Sequence, residues 1–303
     1  MNVKFDCIIC GNHGRKIVRN NLPMFICDSC GLFWRASFDL PENFYETRNF
    51  ELEKTGKIDA RYTNSIGRIQ TLKKYVDLNN LCDVGCGEGV FLKTLNDSGY
   101  KNVVGLEPSI EAHDFSVRNK LKIIRGVTEN LDKSFFGGNG IHTATMFHVI
   151  EHLKDPDGVL KMIYNNLEKG DKLVIETPDT ESYILKTSGY KHELIYPEHL
   201  HYFNKANLRK LLEKSGFEFV ASGNRDFNEN NLSIKESLAR LGFVKINARK
   251  KNAKAEFESK SINVAERGNG RKNGVLRHGA RKFLSAIVRL VGRGNYLWIV
   301  VKK

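Results

Sequence analysis

His148, Glu151 and His152 stand in the string HVIEH, residues 148–152. The spacing H-x-x-E-H can set two imidazoles and a carboxylate around one metal ion, as in the inverted zincin peptidases. Peptidase use needs these residues on a helix with a further ligand downstream. Here they follow the apolar run HTATMF, a strand signal, so His148 is expected at a strand's carboxyl end and Glu151-His152 in the turn after it. Cys7, Cys10, Cys27 and Cys30 form a second set, in the fragments CIICG and CDSCG, with the spacing C-x2-C-x16-C-x2-C. That spacing suits a four-thiolate zinc site, and the Gly after each second Cys suits the tight turn of a metal knuckle. Two paired CxxC units in a chain whose start, MNVKFDCIIC, lacks the charged-then-apolar order of a signal peptide favour metal over disulfides. Four thiolates leave no open coordination position, so this zinc would be structural.

A third set is DVGCGEG (83–89), which has G-x-G-x-G between an apolar strand signal and a helix signal. Glycines let the backbone turn sharply and approach a ligand, and the helix start offers free N–H groups. Glu107 closes the next strand signal, 18 residues beyond Gly89, where a carboxylate can accept both hydroxyls of a ribose. A dinucleotide fold would show G-x-G-x-x-G; here the third Gly comes one position early and Glu88 would repel phosphate. Asp83 and Glu88 suit instead a cofactor carrying a positive charge and an ammonium group. Cys82 and Cys86 flank the first Gly of this turn and read as packing residues.

The elements that must position these groups alternate from about residue 81. Strand signals are LCDVG (81–85), VVGLE (103–107), LKIIRG (121–126), HTATMFH (142–148), DKLVIET (171–177), FEFVASG (217–223) and YLWIVVK (296–302). Helical spacing runs over 58–76, to about Ser98, over 109–119, 157–169 and 204–216. Such alternation predicts an α/β fold with a mostly parallel sheet covered by helices.

With these motifs the chain resembles class I S-adenosylmethionine (SAM) dependent methyltransferases. DVGCGEG matches their first motif, VVGLEPS their ribose-binding acid, and FHVIEHLKDP their fourth strand and its continuation. The resemblance implies a doubly wound, mostly parallel, seven-stranded Rossmann-like sheet. It also implies that Asp83, Gly85, Gly87 and Gly89 wrap the methionine half of SAM, with Cys86, Pro108 and Phe147 bordering the cofactor. Glu107 would bind its ribose, and Val127 and Thr128 would flank its adenine. The pairing with a CxxCG…CxxCGL module resembles deoxysugar C-methyltransferases and related enzymes of polysaccharide clusters, which also carry a stretch like YPEHLHYFN (196–204). By that resemblance His199 is the base with Glu198 beside it, Tyr196 contacts substrate, and His148 lies close to the transferred methyl. Tyr45 and Tyr62 could also face substrate. Glu151, His152 and a His of the 199–201 loop could instead hold a divalent ion for metal-assisted transfer. The expected organisation is a zinc ribbon over 1–40, a linker with capping helices over 41–80, and a methyltransferase domain over 81–303 with a basic insertion at about 225–294.

Net charge is +13, and residues 245–303 hold 16 basic residues against three glutamates, so residues 1–244 sum to zero. The acceptor expected is a small molecule of sugar or nucleotide-sugar type, for O- or C-methylation. Nucleic acid ranks below it, because the fourth strand lacks the Asn/Asp-Pro-Pro-aromatic turn used on exocyclic base nitrogens and the basic stretch has little aromatic interleaving. Helical stretches at 233–244 and 282–292 carry apolar residues on one side and basic ones on the other; they could cover the core or touch an anionic membrane or glycolipid. A binding protein that keeps the fold without catalysis is a third reading. The expected location is cytoplasmic.

Overall fold

The computed structural model describes residues 5–37, 44–47, 58–128, 140–182, 185–186, 189–190, 194–195, 197–225 and 294–303. Tyr196 and the stretches 226–293, with the two helices expected there, lie outside the described residues.

The N-terminal module is built from β1 (Arg15–Arg19), β2 (Leu22–Ile26) and β3 (Phe33–Arg35). Asn20 and Asn21, both at positive φ, close the β1–β2 hairpin, a conformation that Asn tolerates better than most side chains. The two CxxC turns repeat one geometry. Gly11 N–H donates to Cys7 O and Gly31 N–H to Cys27 O, each at 2.8 Å, and both glycines sit near φ +72°, as the tight turn of the expected knuckle requires.

α1 (Ile58–Leu72) leads into the main sheet. In chain order come β4 (Leu81–Val84), α2 (Val90–Asp97), β5 (Val103–Glu107), α3 (Ile110–Arg118), β6 (Ile123–Arg125), β7 (Thr143–Phe147), α4 (Pro156–Asn166) and β8 (Lys172–Pro178). They are followed by β9 (His201–Tyr202), α5 (Lys205–Lys214), β10 (Glu218–Arg225) and β11 (Tyr296–Lys302). The strand order is β10-β11-β8-β7-β4-β5-β6, with β11 antiparallel to both its neighbours and the others running parallel. β4 and β5 are buried at every position, which is why they read as continuous apolar runs and not as alternating ones. Helix starts are set locally. Ser109 accepts from Ala112 N, Asp155 accepts from Gly158 N ahead of Pro156, and Asn204 and Asn207 cap each other reciprocally.

Chain progression reverses between β4 and β7, since β5 and β6 lie on one side and β8 on the other. This is the switch point at which open α/β sheets bind ligands, just beyond the strands' carboxyl ends. The DVGCGEG turn leaves β4 there, and His148 leaves β7 there.

The N-terminal cysteine module packs against the main unit, and part of the YPEHLHYF segment is a strand. His201 and Tyr202 form β9, the fourth strand of the N-terminal sheet, in register with Trp34 and Phe33. Cys7, Phe25, Cys27, Leu32 and Trp34 share one apolar core with Val84, Met146, Leu208 and Leu211 of the main unit. Lys214 Nζ donates to Ile8 O at 2.8 Å and Arg35 Nη1 to Pro197 O at 2.7 Å. Among the described residues no helix is long and apolar enough to cross a membrane.

Candidate active site and candidate metal centres

Gly85 and Gly89 adopt φ +71° and +77°, where a side chain costs about 1–2 kcal/mol. A Cβ on Gly85 would also run into Val149. The turn is folded back onto β5, with Gly85 N–H and Cys86 N–H both donating to Leu106 O at 2.8 and 3.1 Å. Cys86 Sγ lies against Gly105, which leaves that strand position no room for a side chain, so packing, expected for this cysteine, is what the structure gives it.

Glu107 Oε2 accepts from Gly87 N–H at 2.9 Å and Oε1 from Ser109 N–H at 3.2 Å, which ties the acid at the end of β5 to the glycine turn. Asp83 is 3% exposed and accepts from Thr145 Oγ1 at 2.6 Å. Burial, with Glu107 and Glu176 adding to it and Thr145 and Arg68 opposing, pushes its carboxyl up to about 7. Glu88 is buried and paired with Arg61 at 2.7 Å, while its Oε1 has no hydrogen-bond partner. Burial raises the Glu88 carboxyl, against the nearby Arg61 charge. Phe147 packs edge-on against Phe91 and lies beneath the Arg68 guanidinium, 4.3 Å from its ring centre. Thr128 is buried; Val127 and Pro108 are half-buried. Gly126 N–H donates to Glu107 O at 3.2 Å, which holds this segment at the end of β5.

His148 takes a positive φ of 59° at the end of β7, an uncommon backbone state of the kind concentrated at functional sites. Its ring bridges two buried carboxylates, with Nδ1 3.3 Å from Glu151 and Nε2 3.2 Å from Glu176. Burial disfavours the imidazolium, but both glutamates outweigh it and raise the group above its ordinary value. Glu176, on β8, also meets Arg68 at 2.5 Å and Arg225 at 3.4 Å. Burial alone would raise its carboxyl; the two guanidinium charges and His148 hold it well below the usual range. None of Glu176, Arg68 and Arg225 was singled out from the sequence. Glu176 had a signal, a lone charge inside the apolar run KLVIET, which a buried strand keeps only when the charge is paired.

His199, expected as base with Glu198 beside it, is 6% exposed, and its Nδ1 lies 3.1 Å from Leu194 O. Burial, helped by the His152 and His148 charges, pushes its imidazole down to about 3 in spite of Glu151. Glu151 is thus a carboxylate whose charge reaches this ring, and the Glu198 backbone carbonyl lies 2.9 Å from His152 Nδ1. His152 and His199 meet edge to face at 4.7 Å, and the Tyr45 ring meets His152 at 5.9 Å. Glu151 accepts from Thr177 Oγ1 at 2.9 Å. Burial pushes the Glu151 carboxyl up, but His148, His152 and His199 hold it down to about 2. Tyr62 is half-buried on α1.

Four sulfurs converge in the N-terminal module, with Cys7 and Cys30 3.5 Å apart and Cys10 and Cys27 3.4 Å apart. A tetrahedral ion with Zn–S bonds of about 2.3 Å separates its sulfurs by about 3.8 Å, so the set matches a four-thiolate site. Glu151, His152 and His199 form a second group whose ligand atoms lie within 4.8 Å of one another.

The family model described as "Methyltransferase domain" matches residues 50–222. A tRNA U34 carboxymethyltransferase of Helicobacter acinonychis is 28% identical over 138 residues, 42% of this chain and 51% of that protein. Its counterpart in Mannheimia succiniciproducens is 31% identical over 157 residues, 46% of this chain and 45% of that one. The chain therefore spans about half the length of the curated relatives it matches. In fold it is similar to a SAM-dependent methyltransferase of Thermotoga maritima, described as a possible histamine N-methyltransferase. The TM-score is 0.51 at 19% identity, covering 84% of this chain and 96% of that one. With the family match covering more than half of its length, over the switch-point turn, the ribose-type acid and the His148 strand end, the chain belongs to the methyltransferase domain family.

Proposed function

We propose that the protein transfers a methyl group from SAM to an acceptor that loses a proton in the reaction, either a hydroxyl or a carbon beside a carbonyl. The observation that carries this reading is the meeting, at one switch point, of the glycine turn tied to Glu107 with an imidazole held between two buried carboxylates. SAM supplies an electrophilic methyl on a sulfonium. The residues present fit it. Glu107 offers carboxylate oxygens for a ribose, the turn brings bare backbone close, and the partnerless Glu88 Oε1 suits an ammonium group. His148 takes the acceptor's proton on one ring nitrogen once that nitrogen has given up its proton and left its carboxylate, while the other carboxylate of the Glu151–Glu176 pair orients the ring and stabilises the cation. His199, buried and lowered, is a weak proton acceptor, so that role passes to His148. The four cysteines hold a structural zinc in the ribbon, with no open position for chemistry.

The acceptor we infer is a small molecule of sugar type, which rests on the resemblance of the cysteine module and YPEHLHYF to sugar methyltransferases. RNA is the second reading, favoured by the tRNA-modifying relatives and by the 16 basic residues of 245–303. Calorimetric titration with SAM, with competition by S-adenosylhomocysteine, tests the cofactor; absence of heat and of competition would sink the enzyme reading. Labelled SAM offered with nucleotide-sugar pools and, separately, with total tRNA distinguishes the acceptors. Label in tRNA alone would overturn the sugar assignment.

A further inference from the structure

We infer that Arg68 and Arg225 are positioning residues that act on His148 through Glu176. They hold the ring with its Nε2–H on that carboxylate, so that Nδ1 is the nitrogen that takes the acceptor's proton. Glu176 grips His148 twice, since its backbone carbonyl accepts from His148 N–H at 2.8 Å and its Oε1 lies 3.2 Å from Nε2. The carboxylate is itself clamped from two sides. On α1, Arg68 donates to Oε1 through Nη2 at 2.5 Å and through Nε at 3.2 Å, a planar fork closed on one oxygen. On β10, Arg225 lies 3.4 Å from Oε2 and donates through Nη2 to Asn64 O at 3.0 Å, which ties β10 back to α1. The side chains are 2% exposed at Glu176, 6% at Arg225 and 12% at Arg68. Turning the carboxylate away from the ring would strip charge from guanidinium groups held out of water, which is costly.

The two contacts of the imidazole differ in kind. The Nε2 contact with Glu176 has the direction of a hydrogen bond; the 3.3 Å approach of Nδ1 to Glu151 Oε1 does not. Glu151 takes its hydrogen bond on the other oxygen, from Thr177 Oγ1. The arginine charges keep Glu176 ionised, so it can only accept. Nε2 therefore carries the hydrogen, and in the neutral ring the lone pair falls on Nδ1. The Tyr296 ring meets the imidazole edge to face at 5.0 Å and fixes its plane. That lone pair repels the Glu151 carboxylate, so this contact, and not the clamped one, opens to an acceptor. In the transfer the acceptor's O–H or C–H electron pair goes to the methyl carbon and the S–CH3 pair to sulfur. The proton goes to Nδ1, where the new cation faces Glu151.

The role in transfer rests on the methyl-transfer reading; the state of the ring does not, and nuclear magnetic resonance reads it without substrate. Long-range nitrogen–proton correlation spectra are recorded on protein carrying nitrogen-15 histidine, at a pH where the ring is neutral. The His148 signals are identified by their loss in His148→Gln. The parent should show one tautomer, protonated at Nε2. Arg68→Met should show both tautomers in exchange. Its SAM affinity should stay within about threefold of the parent while kcat falls about 10- to 100-fold at a near-constant KM for the acceptor. Arg68→Lys returns the charge without the fork and should recover part of kcat. Arg225→Met, on another element, carries the same test should Arg68→Met not fold. A parent ring protonated at Nδ1, or a parental spectrum in whichever of the two Met variants folds, would overturn the inference. If the spectra come out as expected but labelled SAM gives no transfer, the clamp stands and the methyl-transfer reading falls.

Discussion

Asp83 holds its proton through most of the acidic range because it is buried beneath the glycine turn. Its folded value is raised to about 7 from an ordinary 3.8. Between those values the native state binds more protons than the unfolded chain, so this residue's contribution to stability falls as pH rises through that window. Asp83→Asn keeps an acceptor for Thr145 and removes the dependence. Relative to the parent, the variant should gain on the order of 2–4 kcal/mol between pH 4 and pH 8 in denaturant unfolding; a pH-independent difference would refute the protonated state. Glu107→Ala removes the acceptor that clasps the turn at Gly87 and the one that holds Ser109, and SAM affinity measured by calorimetry should drop about 10- to 100-fold. His148→Gln should leave SAM binding near the parental value while turnover falls about 10²- to 10⁴-fold, the usual size of a proton-transfer contribution.

At the scale of elements, the unusual feature is β9, two residues long and shared between the cysteine module and the chain that carries His199. A two-residue strand has little stability of its own, so its position depends on β3, and β3 depends on the knuckles that begin at Cys7 and Cys27. If the four cysteines hold zinc as proposed, stripping it, or Cys27→Ser, should therefore free the 198–203 segment. Hydrogen exchange in peptides covering it should quicken at least tenfold, with methyl transfer falling although none of these four cysteines belongs to the proposed SAM site. Unchanged exchange would mean that the main sheet alone holds the segment.

At the scale of the molecule, charge and chemistry are segregated. The described site is built from residues of the neutral stretch 1–244, while 245–303 carries the whole excess of +13. If the acceptor is a small molecule, deleting 246–282 leaves turnover within about twofold. If it is RNA, binding is steeply salt-dependent and the slope collapses with the deletion. Filter binding of tRNA at several salt concentrations, with and without the segment, separates the two.

The sheet was legible in the sequence because buried parallel strands are continuous apolar runs between turn signals. VVGLE and YLWIVVK were bounded to the residue, and the other strands to within two or three. The cysteine cluster, the glycine turn and the acid after β5 were legible as well, since each is set by spacing within a short segment. HVIEH was legible as a strand end followed by a turn, which removed the peptidase reading. Other features depended on which distant segments meet. Glu176 gathers Arg68, Arg225 and His148 from three other segments, and Glu151 brings its carboxylate charge to His199 from a segment nearly fifty residues away. Sequence determined the local conformations and the strand pattern, because those follow from residue type and period. Tertiary structure alone decided the protonation partners, because charge interactions depend on distances in space between residues far apart along the chain.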